Sequence, residues 1–172
     1  ASTMQDLGGC RLIFSDPVSL DRFRDYLEGE SRARHTLLHD SEKFDYVARP
    51  KVTGYRGVHY VYGYASSSDA NRHLNGLKVE IQLRTDVQHA WATAVEIADL
   101  VLGARTKFED GSGVYGEFFR LAGEILSRAH EGRLGCLPEI SDEELRQRFE
   151  ESESDLQIMD RLDKLREQGD LE

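Results

Sequence analysis

One stretch constrains the fold more than any other. In Lys78-Val79-Glu80-Ile81-Gln82-Leu83-Arg84, polar and apolar side chains alternate without a break. Strict alternation marks a β-strand with one buried face. It sends Val79, Ile81 and Leu83 to the core and sets Glu80, Gln82 and Arg84 in a row on the opposite face. The strand is predicted over residues 77–83. From Thr85 the period changes. Val87, Trp91, Ala94, Val95, Ala98 and Leu102 recur at helical spacing, so an amphipathic helix follows at once.

The remaining pattern fills in around this unit. Cys10 to Phe14 is a short, mostly apolar run that reads as a strand. Ser15-Asp16-Pro17 breaks it and starts a helix to about Glu28, with Val18, Phe23 and Leu27 among its apolar positions and Gly29 at its end. His35 to His39 reads as a weaker strand, and Phe44 to Gly57 as a loop. Val58 to Tyr64, rich in tyrosine and valine, is a further strand. The polar segment Ala65 to Gly76 is a hairpin-like connection. Gly111-Ser112-Gly113 interrupts the helical pattern. Tyr115, Phe118, Phe119, Ala122, Ile125 and Leu126 then make another amphipathic helix ending near Gly132. After a linker from Gly135 to Pro138, Ser141-Asp142-Glu143-Glu144 resembles a capping box opening one or two charged helices. The order of elements argues for an α+β fold, a small sheet covered by helices.

The 172 residues suffice for one domain and its core. No apolar run approaches the roughly 20 residues of a membrane span. With no signal-peptide pattern, the cytoplasm is the expected compartment. Cys10 and Cys136 are too few and too far apart for a disulfide framework or a metal motif. The net charge of -10 is uneven, since residues 138–172 hold 13 acidic and 5 basic side chains. The expected division is a domain over residues 1–137 and an acidic helical extension over 138–172. Leu145, Phe149, Leu156, Met159, Leu162 and Leu165 recur near helical spacing, so the extension should pack on the domain, a second subunit or an antitoxin. The acidity disfavours a basic footprint for nucleic acid over the whole molecule and leaves room for a local one.

Three groups of residues could carry chemistry. The row Glu80, Gln82 and Arg84 is either a solvated outer face or the floor of a site for a charged ligand and its metal. Asp6, followed by Leu7-Gly8-Gly9, is either a turn residue or a carboxylate that shares Mg²⁺ with Glu80 from a neighbouring strand. The loop from Asp45 to His59 combines Arg49, Lys51, Arg56 and His59 with Tyr46 and Tyr55 among glycines. Cations neutralise phosphates and an aromatic ring can stack on a base. A basic surface loop is the plainer reading, and it leaves the tyrosines unexplained.

Taken in order, Asp6-Leu7-Gly8-Gly9-Cys10-Arg11, Pro50-Lys51 with Gly54-Tyr55-Arg56-Gly57-Val58-His59, and Val79-Glu80-Ile81-Gln82-Leu83-Arg84-Thr85 with His89 resemble RelA/SpoT-like alarmone synthetase domains. The resemblance covers residues 3 to about 131. The run Gln88 to Glu96 and Phe118-Phe119 look most like the small single-domain branch, which includes toxic small alarmone synthetases. The resemblance implies a nucleotidyltransferase-like mixed sheet. It also implies Mg²⁺-dependent transfer of pyrophosphate from ATP to the 3′-hydroxyl of GDP or GTP. By matching positions, Asp6 and Glu80 would hold Mg²⁺, and Glu80 would help activate the hydroxyl. Tyr55 would stack on guanine. Lys51 and His59 would contact acceptor phosphates, Arg11 would lie near donor phosphates, and Gln82 and Arg84 would line the same floor.

The chain departs from the family pattern in two places. It opens at Ala1, so it is expected to be a piece lacking the family's upstream basic, ATP-gripping motif. Thr53 stands where many members have Asn, and Arg56-Gly57 replaces a pattern that more often has Ser before the Val/Leu-His pair. Two other functions compete: a toxin that pyrophosphorylates the 3′ end of tRNA, with Arg32, Arg34, Lys43 and Arg49 beginning a basic track, and a non-catalytic nucleotide-sensing domain. A homo-oligomer or an antitoxin are the partners to consider. His89 either orients Glu80 or Arg84 or is a satisfied helix-start histidine. Trp91 is expected in the core, and Cys10 as a buried small hydrophobe.

Overall fold

A computed structural model describes residues 8–29, 35–101 and 113–169. Asp6, Arg32, Arg34 and most of the Gly111-Ser112-Gly113 interruption fall outside them. The described residues form two compact units, 1–48 with 57–86 and 49–56 with 87–172.

The first unit is a four-stranded mixed sheet with one helix. Strand β1 (Gly8–Phe14) lies parallel to β4 (Lys78–Thr85), and β4 pairs antiparallel with β3 (Val58–Gly63). The two-residue β2 (Thr36–Leu37) pairs antiparallel with β3, for an order β1-β4-β3-β2. β2 is shorter than the predicted 35–39 for a local reason. Beyond Leu38, His39 Nε2 accepts the N–H of Val61 at 3.0 Å. A side chain thus takes the place of the backbone carbonyl, and the ladder stops.

The register separates the faces as alternation requires. Leu12, Phe14, Val58, Tyr60, Tyr62, Ile81 and Leu83 pack with Leu20, Phe23 and Leu27 of helix α1 (Pro17–Gly29). Asp16 caps that helix, its Oδ1 accepting the Ser19 N–H at 2.8 Å. This bond, with those from the Ser19 and Ser15 hydroxyls, pulls the Asp16 carboxyl below its ordinary value. Val18 is exposed and is not part of the apolar stripe. The stripe runs 20, 23, 27, and Val18 points to the other side of the first turn. Cys10 is likewise exposed, contrary to expectation. It sits near the start of an edge strand, away from the Leu12–Phe14 end that packs in the core.

In the second unit, helix α2 (Asp86–Val101) supplies Trp91, Ala92, Val95 and Ala98 to a core shared with Phe118 and Phe119 of α3 (Val114–Leu126). The α2 helix begins within two residues of the predicted change of period, and Trp91 is buried as expected. Helix α3 ends in a π-helical turn, Ser127–Glu131, closed by Gly132 at φ 62°. The acidic extension forms two helices, α4 (Asp142–Leu156) and α5 (Ile158–Gly169), broken at Gln157 with φ 51°. Ser141 caps α4, accepting from the Glu144 N–H. The extension packs on the domain. Leu145 joins Leu121, Leu137 and Ile140, and Ile158 enters the Trp91 core. No helix among the described residues is long and apolar enough to cross a membrane.

Candidate active site

The face of the sheet opposite α1 carries Arg11 from β1, His59 and Val61 from β3, and Glu80, Gln82 and Arg84 from β4. Because β4 runs between β1 and β3, its polar row is flanked on both sides. Gln82 pairs in register with Arg11 on one side and His59 on the other.

These side chains form one hydrogen-bonded line. Arg11 Nε donates to Gln82 Oε1 at 3.4 Å. Gln82 Nε2 donates to Glu80 Oε2 at 2.9 Å. His59 Nδ1 donates to the other carboxylate oxygen, Glu80 Oε1, at 2.7 Å. Glu80 is therefore held from both sides by donors, one on each carboxylate oxygen. The Glu80 and His59 side chains are 19% and 17% exposed, half-sheltered and still open to a ligand. The Tyr46 ring stands edge-on to His59 at 5.6 Å, limiting the tilt of the imidazole. Arg84, on the same face, is buried at 5% exposure and so does not lie on an open floor.

The entry to the basic loop is fixed within this first unit. Asp45 Oδ1 accepts the N–H groups of Val47 and Ala48, and its Oδ2 accepts from Arg24 at 2.6 Å. Asp bonding its own following backbone is a turn-former's habit.

The loop residues 49–56 belong to the second unit. The Lys51 N–H donates to the Tyr55 carbonyl at 3.2 Å and the Gly54 N–H to the Lys51 carbonyl at 2.9 Å, closing a tight turn. The Lys51 ammonium lies 5.1 Å from the Tyr55 ring centre. Gly54 has φ 88°, and a Cβ there would meet the Phe119 carbonyl at 3.1 Å and Trp91 at 3.2 Å. Only glycine fits that place without strain. Arg56 follows, paired through Nε and Nη2 with both oxygens of Glu131, which also accepts from Gln88 Nε2 at 2.9 Å.

The structure thus brings together four of the expected residues, Arg11, His59, Glu80 and Gln82, and places Lys51 and Tyr55 in one turn. Asp6 lies outside the described residues. The Glu131–Arg56 pair was not legible in the sequence, where Arg56 read as one more loop cation and Glu131 carried no signal. Among the described residues no group of three or more His, Cys, Asp or Glu could hold a metal.

The mixed sheet thus carries one polar face centred on a carboxylate. The sequence pattern described as the region found in RelA / SpoT proteins matches residues 1–100, and the chain belongs to this family. Among solved structures, it resembles the small alarmone synthetase 1 from Bacillus subtilis bound to its product pppGpp. The two are 26% identical with a TM-score of 0.59, over 76% of this chain and 61% of that one. The small alarmone synthetase 2 from Bacillus subtilis shares the fold, at 23% identity and a TM-score of 0.60, over 76% of this chain and 64% of that one. The chain spans about three-fifths of the length of these relatives. No curated protein matches it by sequence.

Proposed function

We propose that this chain carries the catalytic face of a pyrophosphokinase that makes ppGpp or pppGpp from ATP and GDP or GTP. The observation that carries the reading is Glu80, held by His59 and Gln82 on the polar face of the sheet. The family membership and the likeness to a synthetase bound to pppGpp support it.

In this reading the Glu80 carboxylate accepts the proton of the acceptor 3′-hydroxyl. The hydroxyl oxygen attacks the β-phosphorus of ATP, the bond from that phosphorus to the oxygen bridging to the α-phosphorus breaks, and AMP leaves. His59 and Gln82 keep the carboxylate aimed, and positioning is where general bases gain much of their rate. Arg11 is assigned to the donor phosphates, Lys51 and His59 to the acceptor phosphates, and Tyr55 to the guanine ring, while the buried Arg84 backs the same face from beneath. Arg11, exposed at the end of the hydrogen-bonded line, suits its role. Transfer of this kind is mainly positioning and charge stabilisation.

Glu80 is a hard oxygen donor on a half-exposed face, which fits an ion that takes one or two carboxylates beside phosphate oxygens. Asp6 and Glu80 would hold Mg²⁺, which when bound supplies charge neutralisation on the phosphates.

The test is AMP release by the full-length protein given ATP with and without GDP or GTP. Release that depends on the guanine nucleotide supports the reading. ATP breakdown indifferent to the acceptor contradicts it.

A further inference from the structure

We infer that Glu131 is a positioning residue for the acceptor nucleotide, acting through Arg56 on the Lys51–Tyr55 turn. This rests on the acceptor reading of that turn given above, and adds to it the device that holds the turn in shape.

The Arg56 and Glu131 side chains are 4% and 3% exposed, so the ion pair is almost wholly out of water. Burying two charges is expensive, and an apolar pair of the same volume is often as stable or more so. Stability alone therefore gives a weak reason for this pair. Its geometry gives a better one. Arg56 presents Nε and Nη2 to the two oxygens of one carboxylate, a fork-to-fork contact that fixes direction as well as distance. A third donor, Gln88 Nε2 from α2, holds the carboxylate from the side at 2.9 Å. Gln88 is itself buried.

Glu131 reaches this place because α3 ends in a π-helical turn. The wider turn over Ser127–Glu131 rotates the residues that close it, and Glu131 ends up facing inward, one residue before the left-handed Gly132. Such turns are rare and cluster at functional sites. An ordinary α-helical continuation would carry a residue at this position to a different side of the helix.

The consequence falls on the neighbouring residue. Tyr55 directly precedes Arg56, and its carbonyl closes the turn with the Lys51 N–H. Gly54 is wedged between the Phe119 backbone and Trp91. The eight-residue loop is thus clamped at Gly54 and at Arg56, and Tyr55 lies between the clamps. The Tyr55 ring meets Trp91 edge-on at 6.4 Å. A ring held before the ligand arrives binds without paying to be ordered. Release of the Arg56 clamp leaves Tyr55 and Lys51 to be ordered by the nucleotide itself.

The experiment is titration of GDP into the full-length protein by calorimetry, with melting temperature and Trp91 emission recorded alongside. Trp91 is the only tryptophan in the chain, so its emission reports on this loop. Glu131→Gln is expected to weaken GDP binding about 10-fold or more, with ATP binding unchanged. The double variant Arg56→Met, Glu131→Leu removes the buried charges together and is expected to melt like wild type while still binding GDP weakly. Gln88→Met, which deletes one hydrogen bond at nearly constant volume, is expected to shift GDP affinity the same way by a smaller factor. Wild-type GDP affinity in Glu131→Gln, or recovery of GDP affinity together with melting temperature in the double variant, overturns the inference. A wild-type protein that binds ATP and no guanine nucleotide overturns the acceptor reading beneath it.

Discussion

His59 on β3 donates its Nδ1 proton to Glu80 on β4, across a diagonal of the antiparallel pair. His59 faces Gln82 in register and Glu80 faces Val61, so the 2.7 Å bond spans two residues of offset. Diagonal neighbours stand roughly 7–8 Å apart at the backbone, a gap that an imidazole and a glutamate can close and shorter side chains cannot. The same carboxylate takes the Gln82 amide on its second oxygen.

Glu80→Gln should abolish transfer with the fold intact. The amide keeps the shape, offers no base, and places an NH₂ where a donor already stands. A loss of about 10²–10⁴ in kcat is expected from a missing general base. Steady-state rates with ATP and GDP, beside a melting curve, check it. A rate within a few-fold of wild type would end the catalytic role of Glu80.

His59→Ala should lower kcat by roughly 10- to 100-fold, the rate equivalent of a charge-assisted hydrogen bond of about 1.5–3 kcal/mol. His59→Asn should retain part of the rate, since its amide can still donate toward Glu80. If both variants lose equally, through KM alone, His59 acts on the acceptor phosphates and not on the carboxylate.

Much of this arrangement is legible in the sequence. The alternation over residues 78–84 placed Glu80, Gln82 and Arg84 on one face, and the register shows them there. The change of period after it gave α2 and the burial of Trp91. What could not be read were pairings that depend on tertiary placement. His59 reads as a loop-end histidine until β3 is laid beside β4. Glu131 has no local pattern, because its inward direction comes from a π turn. Cys10 and Val18 failed for a related reason. Apolar character signals burial only where the fold supplies a neighbour, and an edge-strand start and a first helical turn do not.

Gly54→Ala should destabilise the protein by about 1–3 kcal/mol, because φ 88° is strained for alanine and its Cβ would press on the Phe119 carbonyl. Chemical denaturation measures the loss, and a shift in Trp91 emission should accompany it. Unchanged stability would mean that the loop relaxes freely, against the clamped turn described above.

Acid stability should depend on Glu124. This carboxylate is fully buried. Burial by itself pushes its pKa up. The Gly135 and Leu137 N–H groups and the Arg128 guanidinium outweigh that and hold it below the ordinary value of 4.5. A depressed folded-state pKa contributes stability that is present in full above the unfolded-state value. That stability is lost as pH falls below 4.5 through the folded-state value. Glu124→Gln should therefore melt several degrees lower at pH 7 and show a flatter decline between pH 5 and pH 3. A variant with the wild-type acid limb would remove Glu124 as its cause.

Ile158→Ala should cost about 2–5 kcal/mol, as for a buried isoleucine in a packed core. Ile158 is wholly buried among Trp91, Phe118 and Phe119, although it opens a helix of the acidic extension. Urea unfolding measures the loss. A cost below about 1 kcal/mol would mean that α5 is not part of the core.

The central claim is the transfer of pyrophosphate to a guanine nucleotide. The most direct measurement gives the full-length protein Mg²⁺ and ATP labelled on its γ-phosphate, with GDP, GTP and deacylated tRNA offered in parallel. The account predicts label on GDP and GTP, with AMP released in equal amount. Label on tRNA alone, or on no acceptor while ATP remains bound, would contradict it.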